Sequence, residues 1–116
     1  MANPKAPPIK VTGPAYGRKF GDDEAITLEW KTGQGRALRV QISSEPTFPE
    51  TNRVEFPTRG GRSMGTYQMT LNRHERMLVS SVMNDAEGGQ VYWRVVEPTR
   101  GSSSAAQSDV SRFGRE

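Results

Sequence analysis

Residues 90–96 read Gln-Val-Tyr-Trp-Arg-Val-Val, and their reading decides the fold. Val91, Trp93 and Val95 fall on one face of an extended chain, and Tyr92, Arg94 and Val96 on the other. Period-two alternation of β-branched and aromatic residues marks a strand with one face in a core. The rhythm recurs upstream. Ile26, Leu28 and Trp30 alternate with Thr27, Glu29 and Lys31, and Leu38, Val40 and Ile42 alternate with Arg39, Gln41 and Ser43. Between them Thr32-Gly33-Gln34-Gly35 reads as a turn, so these two strands are expected to pair antiparallel. Tyr67, Met69 and Leu71 share a face within residues 66–71, and Val54 and Phe56 mark a weaker strand over 52–56. Ile9-Lys10-Val11 reads as an edge strand, and Val110 with Phe113 as the strand that closes the sheet.

Residues 72–84 depart from this rhythm. Asn72 is a good N-cap, Glu75 stands three residues on as in a capping box, and Leu78 and Val82 are four apart. The spacing predicts a short helix over 73–83, ended by Asn84 and Gly88-Gly89. The β-branched valines leave a strand over Met77–Val82 as the rival reading. About seven short strands separated by turns, with one helix, predict an all-β sandwich.

Composition agrees. A chain of 116 residues can bury one core, and 33% hydrophobic content points to thin layers and generous loops. The 12 glycines and 8 prolines call for many turns without reaching the level of a disordered chain. Residues 1–8 read as a flexible linker, 9–113 as the sandwich and 114–116 as a tail; Met1–Pro8 has no apolar run of the signal-peptide kind. No window of about 18 apolar residues exists, so membrane insertion is not expected. Cysteine is absent, which excludes disulfides and thiolate metal sites. The formal net charge is +3, and the twelve arginines are scattered rather than gathered in a stripe, which argues against a nucleic-acid partner.

Four segments in this order resemble a fibronectin type III domain of the bacterial or archaeal extracellular type. They are the Trp-bearing strand Ile26–Trp30, the Ser-x-x-Pro-x-Phe step of Val40–Phe48, the Tyr92–Val95 stretch, and the closing Ser108–Phe113. The resemblance covers roughly residues 9–113 and implies an immunoglobulin-like sandwich of about seven strands. The family's tyrosine near the start of the sixth strand has no counterpart here: Val91 holds the matching inward position. The helix is an insertion relative to the usual short loop. The resemblance implies a non-catalytic spacer, or a module contacting a protein partner or neighbouring domains, within a larger envelope or secreted protein. It does not choose among these roles.

Chemistry-bearing motifs are sparse. His74 is the sole histidine and reads as a solvated helix residue. Asp22-Asp23-Glu24 lacks calcium-loop spacing and reads as a polar turn. Arg59-Gly60-Gly61-Arg62-Ser63-Met64-Gly65 lacks the Gly-Lys-Ser/Thr of a phosphate loop. No cofactor is expected. Pro57-Thr58-Arg59-Gly60 recurs as Pro98-Thr99-Arg100-Gly101, so Arg59, Arg62 and Arg100 are candidates for an anion-contacting set of loops. Trp30 and Trp93 could stack on sugar rings, but each shares a face with aliphatic residues and reads as core. The best surface candidates are Tyr92 and Arg94 on the solvated face, with Tyr16 and Phe20 in the loop after the first strand. Carbohydrate binding through exposed aromatics, or polyanion binding through arginine loops, stands as the alternative to a protein-contact role.

Overall fold

A computed structural model describes residues 9–21, 23–32, 38–58, 62–63, 66–97 and 107–115. Nine strands among the described residues form two sheets packed face to face. The first sheet has the order β1 (Lys10–Gly13), β3 (Thr27–Lys31), β7 (Thr66–Thr70), β6 (Arg62–Ser63). The second has the order β2 (Arg18–Phe20), β9 (Ser111–Arg115), β8 (Gln90–Val96), β4 (Arg39–Ser43), β5 (Arg53–Pro57). All pairings are antiparallel except β2 with β9, which is parallel.

The alternating patterns set the register. Leu28 lies opposite Met69 and Trp30 opposite Tyr67 in the first sheet. In the second, Val40 sits between Phe56 and Val95, and Ile42 between Val54 and Trp93. These inward rows interdigitate into one core, with Trp30 at 1% and Trp93 at 0% exposure. The Trp30 and Tyr67 rings stack with centroids 5.9 Å apart, and Phe20 meets Phe113 edge to face at 5.8 Å.

The strand over 90–96 forms as read, with Val91 facing inward. The expected β3–β4 hairpin does not form. β3 pairs with β1 and β7 while β4 pairs with β5 and β8, so the two strands face each other across the core. Each carries large apolar residues on its inner face, and the two rows close on each other across the core. The glycines at 33 and 35 lie outside the described residues. β2 lies where the sequence reads as a loop. A turn places Arg18 N–H on Ala15 O at 2.9 Å, and Gly17 N–H donates to Arg112 O at 2.7 Å, which docks β2 on β9. The closing strand runs Ser111–Arg115, two residues past the expected boundary; its inward residues are Ser111 and Phe113, and Val110 lies outside it, exposed.

The helix is confirmed over the strand alternative. α1 spans Arg73–Asp85 and begins with a full capping box: Glu75 N–H donates to Asn72 Oδ1 and Asn72 N–H to Glu75 Oε1, each at 2.8 Å. Its inner face is Glu75, Val79, Val82 and Met83, with Leu78 half-buried beside them. After the helix Gly88 and Gly89 adopt φ of 75° and 70°, a region costly for a side chain, and reverse the chain into β8. The register places the helix at one pole, where β3 and β8 begin and β7 and β9 end. β1 starts at the opposite pole, since Lys10 pairs with Lys31 at the end of β3.

Candidate functional site on the outer face of the five-stranded sheet

The outward residues of β4, β8 and β5 follow from the same parity that fills the core. Arg39, Gln41 and Ser43 alternate with Val40 and Ile42; Tyr92 and Arg94 with Val91, Trp93 and Val95; Arg53 and Glu55 with Val54 and Phe56. Cross-strand pairing brings Arg94, Gln41 and Glu55 into one row, and Tyr92, Ser43 and Arg53 into the next.

The row is wired by hydrogen bonds. Arg94 Nε donates to Gln41 Oε1 at 2.8 Å, and Arg94 Nη1 to Gln107 Oε1 at 3.3 Å. Gln41 Nε2 donates to Glu55 Oε1 at 3.4 Å. Arg39 Nε donates to Glu55 Oε2 at 2.6 Å, and Arg53 Nε stands 3.9 Å from Glu55 Oε1. Two guanidinium groups, Arg39 and Arg53, thus meet the carboxylate of Glu55, and Arg94 is linked to it through Gln41. The partial burial of Arg94 lowers its pKa from the usual arginine value, and the neighbouring Arg53 charge adds to the effect, against the opposing pull of Glu55.

The loop between β4 and β5 folds back over this face. Ser43, fully buried, donates its hydroxyl to Asn52 O and accepts Glu45 N–H at 3.0 Å, which closes the loop. Phe48 at its tip is 2% exposed yet stands outside the main core. Arg94 lies over its ring, 4.2 Å from the centroid, and Arg53 Nη1 donates to its carbonyl at 2.8 Å. Phe48 has φ 54°, a left-handed conformation costing roughly 1–2 kcal/mol for a residue with a side chain. Burial of the ring and its cation–π contact offset that cost.

Of the sequence-derived surface candidates, Tyr92 and Arg94 lie on this face, both half-buried. Arg94 is held in place by Gln41, Gln107 and Phe48, which use its Nε, its Nη1 and one face of its guanidinium. Tyr16 is 64% exposed and its ring lies 4.9 Å from the Arg112 guanidinium, so it extends the face toward β2 and β9. Phe20 is a correction. It is 3% exposed, because β2 turns it inward against Phe113, and it belongs to the core. Arg59 and Arg100 lie outside the described residues, and Arg62 is described only as backbone in β6. Gln41, Arg39, Arg53, Glu55 and Phe48 went unnamed as site residues, although the outward parity of β4 and β5 carried all but Phe48.

The other motifs take structural roles. Glu24 pairs with Arg18 and accepts Gly21 N–H at 3.1 Å, which closes the turn before β3; Asp22 lies outside the described residues. His74 is exposed on the helix. Among the described residues no group of three or more His, Asp or Glu side chains is placed to hold a metal ion. No helix among them is long and apolar enough to cross a membrane. No family model, curated protein or solved structure matches the chain.

Proposed function

We propose that this chain is a non-catalytic sandwich of the immunoglobulin-like or fibronectin type III kind, acting as an in-line spacer or protein-contact module of a larger secreted or envelope protein. The orders β1-β3-β7-β6 and β9-β8-β4-β5 support the fold, since they follow the A-B-E-D and G-F-C-C′ arrangement of such sandwiches. The observation that carries the function is polar: β1 starts at one pole and β9 ends at the other, beside the helix. Neighbouring domains on either side would therefore continue the long direction of the strands. The outer face of the five-stranded sheet, with Tyr92, Tyr16 and its arginines, has the residue types favoured at protein contacts. Burial of both tryptophans weighs against a carbohydrate reading that uses their rings.

The test places a photo-crosslinking residue at Tyr92, with Gln68 on the outer face of the other sheet as control, in extracts of cells that express the protein. In parallel, the full chain is passed over immobilised polysaccharides. A protein adduct at 92 but not at 68 is expected for a contact module. Adducts at neither position reduce the role to a spacer. Retention on polysaccharide refutes both and restores the carbohydrate reading.

A further inference from the structure

Resting on the protein-contact reading, we propose that the outer face of the five-stranded sheet binds an acidic peptide segment, whose carboxylates pair with Arg39, Arg53 and Arg94 beside Tyr92. Arg39 and Arg53 share Glu55, and Arg94 is held by the neutral Gln41 and Gln107, so these three arginines and Glu55 together carry a formal net charge of +2. Their directions are fixed in advance. Arg94 is clamped by Gln41 and Phe48, Arg53 by the Phe48 carbonyl, and Arg39 by Glu55. A pre-set array of arginine forks suits planar carboxylates and loses little side-chain freedom on binding. The strained Phe48 is the piece that holds two of the three in place.

Charge decides what kind of anion fits. The loop that carries Phe48 also carries Glu45 and Glu50, both exposed. They would repel a long polyphosphate laid across the sheet. A short segment bearing one or two carboxylates meets the arginines and stays clear of them. Nucleic acid is therefore disfavoured at this face, although its charge sign is right.

The probe is an eight-residue peptide of serine with glutamate at two central positions and a blocked C-terminus, titrated into the isotopically labelled full chain at low salt and followed through its amide resonances. The same peptide with Gln for Glu and an eight-nucleotide oligo-dT are the comparisons. Shifts are expected at Gln41, Tyr92, Arg94 and Arg53 with the Glu peptide, weak or absent with the Gln peptide, and reduced as salt rises. Two variants give opposite signs. Arg39→Gln should weaken binding about three- to tenfold, and Glu55→Gln, which removes the competing carboxylate, should tighten it by a similar factor. A disturbed fold would weaken both, so tightening by Glu55→Gln is the decisive result. Equal response to the Gln peptide, no shifts on this face, or weakening by Glu55→Gln overturns the proposal. A larger response to oligo-dT at the same amides overturns it in favour of nucleic acid. A protein adduct at position 92 together with a silent Glu peptide would leave the contact module standing and remove only its acidic partner.

Discussion

Replacing Phe48 probes the candidate face and the fold together. The ring is buried, and Phe→Ala at buried sites costs about 3–5 kcal/mol. Phe48 stands outside the main core, in a loop that can partly collapse, so the low end applies, about 3 kcal/mol. That figure includes the contact with Arg94, about 0.5–2 kcal/mol. The backbone adds a second, sharper expectation. At φ 54° alanine keeps the left-handed strain of roughly 1–2 kcal/mol, whereas glycine is freed of it. Glycine loses about 0.5–1 kcal/mol in chain entropy, so Phe48→Gly should lie between equal to Phe48→Ala and about 1.5 kcal/mol more stable. At a residue with ordinary negative φ the order would reverse. Urea unfolding followed by the fluorescence of the two buried tryptophans measures this. With a slope of about 1–1.5 kcal/mol per molar, a 3 kcal/mol loss moves the midpoint by roughly 2–3 M. A double-mutant cycle with Arg94→Gln should return a coupling of about 0.5–2 kcal/mol. A loss below about 1 kcal/mol in Phe48→Ala would show the ring exposed. Phe48→Gly falling clearly below Phe48→Ala would show that residue 48 is not left-handed. Either result removes the platform on which Arg94 and Arg53 are set.

Trp93→Ala should lose about 3–5 kcal/mol, since the ring fills the centre of the core. Trp93→Phe should lose far less, under about 1.5 kcal/mol, because the buried indole N–H finds no acceptor and its removal returns a desolvation cost; thermal melts of the two variants compare them. Gly114→Ala should cost about 1–3 kcal/mol by the same assay, because a Cβ there would stand 2.8 Å from Gly89 O and 3.1 Å from Gln90 Cα, backbone that cannot step aside. Glu29 sits on the outer face of the first sheet, where a hydrogen bond from Gln68, then one from Thr12, holds its pKa below the usual carboxylate value. Its contribution to stability is therefore present above that ordinary value and lost as pH falls through the lowered one. Melting temperatures from pH 7 down to 3 should show the gap between the native chain and Glu29→Gln closing at the acid end, and a constant gap would disprove the linkage.

The sandwich was legible because apolar and polar residues alternate through β3, β4, β7 and β8, and the helix because its cap is written in two residues, Asn72 and Glu75. Partnership was less legible. β2 has three residues and one inward side chain, and its partner lies nearly the whole chain away, so no local pattern announces it. Val110 is apolar and so suggests the closing strand, which in fact begins one residue later. The true inward neighbour of Phe113 is Ser111, a buried serine opposite Trp93, which no apolar pattern announces. The candidate face was half legible. Parity gives Arg39, Arg53 and Arg94 their common side, but the seating of Phe48 beneath Arg94 depends on a loop closed by Ser43 and on a backbone angle that composition does not encode.

The parallel contact between β2 and β9 has a mechanical consequence. A pull applied to the two poles draws β1 and β2 one way and β9 the other. Parallel strands drawn apart along their length load their cross-links in shear and all together, whereas a hairpin opened from its end gives up its links singly. Resistance to stretching is governed by the rate of unfolding rather than by the equilibrium. The three residues Arg18–Phe20 therefore form a clasp under tension, and the edge-to-face pair of Phe20 and Phe113 is its pin.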